Sequence, residues 1–286
     1  MKLRIVALLV LVGAMTALVP AANAAVTVGQ TGNPAGSACG AGFDRVQTSV
    51  SSGNSYAVPS TGGVTSWKVT SWSSFGSSAD IQMKLKFWRA TATPDRYQAV
   101  AHTGPQTVHA GGLAGNTFPT NLTVQAGDIL GFHTLTDGDC LAPASSMDRF
   151  AAFFGDLADG QEDNFLTSGS SNYRLDISAQ LTPLNTFSGG KTQLNRKKGT
   201  ATLAFNLPNP GDLSGSGQGA QVSSTGAVTS KAVPAGTATL VVKAKGKKKR
   251  KLNEKGKVKL NLAVTYTPTG GEPSTQSVKV KLKKKL

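Results

Sequence analysis

The 286-residue chain has two cysteines, three histidines, few aromatics (6%) and half as many acidic residues (15) as basic ones (30). Each shortage excludes something. Two cysteines with no CxxC spacing exclude a thioredoxin-like redox pair and a zinc ribbon. His102, His109 and His133 form neither HExxH nor HxH, so no familiar metalloenzyme signature is present. There is no GxSxG nucleophile elbow and no GxxxxGK phosphate loop. Beyond the first two dozen residues no run of about 18 apolar residues occurs, so no later segment is expected to span a bilayer. Helical periodicity is nearly absent.

The N-terminus carries Lys2 and Arg4, an apolar stretch from Ile5 to Val19, and the small-x-small triplet Ala22-Asn23-Ala24. This pattern predicts a signal peptide over residues 1–24, with a secreted mature chain starting at Ala25. In an oxidising compartment Cys39 and Cys140 are expected to form a disulfide.

Charge divides the chain. Residues 183–286 hold 20 Lys+Arg against Asp212, Glu254 and Glu272, a net of +17, whereas residues 1–182 net −2. Both parts show short runs of alternating apolar and polar residues between Gly, Ser, Pro and Asn, the all-β pattern. Ile81, Met83, Leu85 and Phe87 share one strand face, with Gln82, Lys84, Lys86 and Trp88 on the other. Tyr173, Leu175, Ile177, Ala179 and Leu181 read as another strand, and Val258, Leu260, Leu262, Val264 and Tyr266 as the clearest one. Met147–Phe154 reads as a turn of helix. The expected fold class is all-β: a jelly-roll-like, lectin-like sandwich over residues 25–182, followed by a basic Ig-like sandwich over 183–286.

Three constellations bear on function. Trp67, Trp72 and Trp88 are candidate ligand-binding aromatics, since an exposed ring on a sandwich face stacks on a sugar. Asp156, Asp159, Glu162 and Asp163, set among glycines, form a candidate calcium loop, though not with EF-hand spacing. The same carboxylates support an alternative reading as a polysaccharide hydrolase. Lys247, Lys248, Lys249, Arg250, Lys251, Lys257, Lys259, Lys281 and Lys283 are candidate polyanion-binding residues. No aromatic platform accompanies these lysines, so no specific nucleic-acid partner is expected. The simpler explanation of such a face is solubility and protection of strand edges.

Val124-Gln125-Ala126-Gly127-Asp128-Ile129-Leu130-Gly131, the Ala244–Leu252 lysine run and Val264-Thr265-Tyr266-Thr267-Pro268-Thr269-Gly270-Gly271 together resemble secreted two-module proteins of soil actinobacteria. These combine a signal peptide, a β-sandwich and a Lys-rich Ig-like terminal module. The resemblance covers most of the mature chain and implies compartment and architecture, not a ligand. The combined expectation is a non-enzymatic surface or binding protein, without a required cofactor. Its partner would be an anionic envelope polymer or polysaccharide, with a purely structural wall-coat role as a further alternative.

Overall fold

The computed structural model describes residues 25–32, 37–70, 80–110, 116–167, 172–224 and 233–286. The signal peptide expected at residues 1–24 and the candidate Trp72 lie outside the described residues. The fold is all-β, with five antiparallel sheets and one helix among the described residues. No described helix is long and apolar enough to cross a membrane.

The first body packs two main sheets face to face. One has the order Val26–Gln30, Ile177–Pro183, Gly62–Val69, Asn116–Val124. The other centres on Phe43–Ser49, Ile129–Thr134, Ile81–Ala90 and Arg96–His102. Alternation dictates the filling: Ile81, Met83, Leu85 and Phe87 are all buried and meet Val64, Trp67, Ile177, Ala179 and Leu181 in one core. This is a sandwich-like arrangement with an apolar centre. The Cys39–Cys140 disulfide joins the short strands Ser37–Cys39 and Gly138–Pro143 at its side.

The opposite face of the Ile81–Ala90 strand departs from the expected solvent exposure. A second core, made of Val46, Trp88, Tyr97, Ala99, Ala151 and Phe165, covers it. The Phe165 ring stands edge-on to Trp88 at 5.0 Å and to Tyr97 at 5.3 Å. The chain after Phe154 folds back over the sheet and turns a face that reads as polar into an interior. Residues 149–154 form strand rather than helix, paired with Phe43–Ser49.

The expected strand from Tyr173 to Leu181 breaks at Asp176. Tyr173–Leu175 pairs with Gly138–Pro143, and Ile177–Pro183 pairs in the other sheet. The buried Asp176 carboxylate joins the two by accepting from Gly32 N (2.6 Å) and Thr70 N (3.1 Å). Burial pushes its pKa up to about 7, against the opposing pull of those two backbone donors, Arg174 and Lys68. The folded state therefore holds a proton that the unfolded chain releases near 3.8. The resulting stabilisation is full below about pH 4 and is lost as pH rises toward 7, at most roughly 4 kcal/mol. Asp176→Asn should flatten this slope in urea unfolding followed from pH 4 to 7; an unchanged slope would refute the assignment.

The second body has its own core of Ala201, Leu203, Phe205, Leu240, Val242, Leu260, Leu262, Val264 and Tyr266. One sheet runs Ser188–Asn195, Thr200–Leu207, Gly236–Ala244, Ala220–Ser224, and the other Gly211–Ser216, Lys257–Pro268, Ser274–Lys283. Asn209 ties the bodies together. Its side chain accepts from Thr61 N (2.6 Å) and donates to Thr61 O (2.8 Å) and Leu184 O (3.0 Å), while its carbonyl accepts from the Tyr266 hydroxyl (2.7 Å).

Candidate polyanion site

The first body's candidates do not form a surface site. Trp67 is 1% and Trp88 0% exposed, so neither presents a face for stacking. Trp67 packs on Phe118 and Trp88 on Phe165, each filling one of the two interiors. This corrects their reading as ligand-binding rings. Alternation assigned Trp88 to the outer face correctly but did not reveal that the face is covered.

The calcium reading of Asp156, Asp159, Glu162 and Asp163 is also corrected, because these carboxylates turn to separate partners. Asp156 pairs with Lys84 and Lys86, Asp159 with His102 (2.7 Å) and Glu162 with Arg96 (3.0 Å). Asp163 accepts from Asn164 N (2.7 Å). A cation shared among all four would need them around one point.

What converges instead is Asp44, His133 and Asp156, whose ligand atoms lie within 4.8 Å of one another. The Lys86 ammonium already occupies the middle. It meets Asp44 at 2.9 Å and Asp156 at 3.0 Å, and donates to Leu157 O at 2.7 Å. His133 Nδ1 lies 3.0 Å from Asp44, which also accepts from Leu157 N (2.8 Å). Burial alone would raise Asp156, yet hydrogen bonds from Lys84 and Lys86, with the charges of Lys86 and His133, hold it down at about 2. Its stabilising effect is thus present above about pH 4 and is lost as pH falls toward 2. The cluster is an internal ion network that fastens the returning segment to the sheet.

The second body presents the opposite picture. The run Lys247-Lys248-Lys249-Arg250-Lys251 lies on the Gly246–Lys255 helix. Lysine and arginine are good helix formers. Leu252 anchors the helix to the core, and Gly256 closes it with φ of 62° in the left-handed region that favours glycine. Its first turn contains no acid and Lys245 offers no side-chain cap, so Lys247, Lys248 and Lys249 stand at the end where the helix dipole disfavours cations.

The adjacent hairpin adds a second unfavourable arrangement. Antiparallel register sets Lys257 opposite Lys283 and Lys259 opposite Lys281, with Asn261 opposite Lys279. Like charges directly across a strand pair are destabilising. Two concavities flank these rungs. One, about 640 Å³, is lined by Arg196, Lys257, Lys281, Lys283, Lys284 and Lys285. The other, about 340 Å³, is lined by Lys248, Lys251, Lys257, Lys259 and Lys281, with Val258. Lys257 and Lys281 border both, and among the described residues no carboxylate lines either.

Of the candidate cations, Lys248, Lys251, Lys257, Lys259, Lys281 and Lys283 gather in this trough. Lys247, Lys249 and Arg250 stay outside its lining. Arg196 was not identifiable from sequence, since the hairpin approaches it only in the folded chain, where Lys285 N donates to its carbonyl (2.8 Å). Comparison with protein-family models finds no match, and no curated protein is significantly similar to the chain.

Proposed function

We propose that the protein is a secreted, non-enzymatic binding protein whose basic second body, an Ig-like module in this reading, holds an anionic polymer of the cell envelope or its surroundings. The observation that carries this reading is the pairing of Lys257 with Lys283 and Lys259 with Lys281 along a trough lined without carboxylates. Edge protection calls for lysine on the outer Ser274–Lys283 strand, but not for facing cations on the inner Lys257–Pro268 strand or beside an adverse helix end. A polyanion laid across them converts that repulsion into attraction and releases its counterions. Glycan stacking on Trp67 or Trp88 has no part in this reading.

The test is co-sedimentation of residues 25–286 with purified Gram-positive cell wall across a salt series. Binding should weaken steeply with salt. Replacing Lys257, Lys259, Lys281 and Lys283 together by glutamine should flatten the log–log salt slope by roughly 3. Binding that ignores both salt and the four substitutions would sink the proposal.

A further inference from the structure

Granting that the trough binds a polyanion, we infer that its ligand class is a linear phosphate polymer, a phosphodiester or polyphosphate chain lying across both cavities at once. Three features of the trough point there. First, the lining cations are lysines apart from Arg196. An ammonium is a compact point charge that takes phosphate oxygens from any direction, without the fixed fork by which a guanidinium grips carboxylate or phosphate bidentately. Second, among the described residues no aromatic ring lines either cavity. Neither a sugar ring nor a nucleobase has a platform to stack on, so recognition falls on a charged backbone. Third, the cations are in file. Lys257 and Lys259 are two residues apart on one strand, opposite Lys283 and Lys281 on the other. Successive rungs are therefore about 7 Å apart. Lys279 extends the file by a further rung. Because Lys257 and Lys281 border both cavities, a chain that fills one enters the other without crossing an uncharged gap.

The consequence is a dependence on ligand length. A short anion occupies one cavity, while a chain long enough for both gains the second contact at high effective concentration. That gain is roughly 10²-fold or more in affinity.

The experiment titrates residues 25–286 with tripolyphosphate, long-chain polyphosphate and polygalacturonate of matched charge at one fixed salt concentration. Long-chain polyphosphate should bind about 10²-fold or more tighter than tripolyphosphate, and well ahead of polygalacturonate. Lys248→Gln/Lys251→Gln removes charge from the smaller cavity alone, at exposed or half-buried positions where circular dichroism should show the fold retained. This variant should lose the long-chain gain while tripolyphosphate still binds in the larger cavity. A long-chain gain that survives in the variant, or polygalacturonate binding as tightly as polyphosphate, would overturn the phosphate-chain assignment and leave polyanion binding standing. Failure of every polyanion to bind would overturn both.

Discussion

Replacing Lys86 by methionine should cost the first body roughly 3–5 kcal/mol. Lys86 and Asp44 are each 0% exposed, and the ammonium is held by Asp44, Asp156 and the Leu157 carbonyl. A methionine fills similar volume but leaves the Asp44 carboxylate in the interior without its cation. The loss therefore comes mainly from an uncompensated buried charge, not from a cavity. Pairing the substitution with Asp44→Asn should recover a substantial part of it, because the stranded charge disappears while His133 and Leu157 N keep a polar partner. Equilibrium urea unfolding of both variants decides the matter. Equal losses in the single and double variants would show that packing, not charge, governs the site. Truncation to alanine gives a second readout. It vacates the position among Asp44, His133 and Asp156, so zinc should raise the midpoint of Lys86→Ala and leave the parent protein unmoved.

Loss of the Cys39–Cys140 disulfide should be of similar size. The bond closes a sequence separation of 101 residues, and the loop-entropy account assigns such a closure roughly 4–5 kcal/mol. Both cysteines are fully buried beside Leu141 and Leu175 in the main core. Cys39→Ala/Cys140→Ala should lower the melting temperature by about 10–15 °C. Reduction of the parent protein should lower it comparably. A change of only a degree or two would mean that the cross-link constrains the unfolded chain little.

The first of these effects arises where the sequence was only partly legible. The alternation from Ile81 to Trp88 reports two faces faithfully, since side chains alternate along any strand. It does not report what covers the second face. The cover is supplied by Phe165 and the segment after Phe154, more than sixty residues away in sequence. Lys86 therefore reads as a surface lysine and proves to be the centre of a buried network. The break at Asp176 was hidden for a related reason. The apolar residues on either side keep strand alternation, while the backbone donors that hold the break, Gly32 and Thr70, come from distant segments.

The trough shows the same division. That the second half is basic, and that Lys257, Lys259 and Lys281 share exposed strand faces, follows from the chain alone. The lysine run offered no strand alternation, and its helical form rests on Leu252 finding the core and on Gly256 closing the last turn.

By itself, then, the sequence determined the all-β class, the one disulfide and the concentration of positive charge in the second half. These depend on local periodicity, on a single available cysteine pair and on composition. Only the tertiary structure decided that Trp67 and Trp88 are interior, that Asp156, Asp159 and Glu162 are spent on lysine, histidine and arginine partners, and that Lys257 faces Lys283. Burial, pairing and register are relations between distant segments, and no local pattern in a chain encodes which distant segment will arrive.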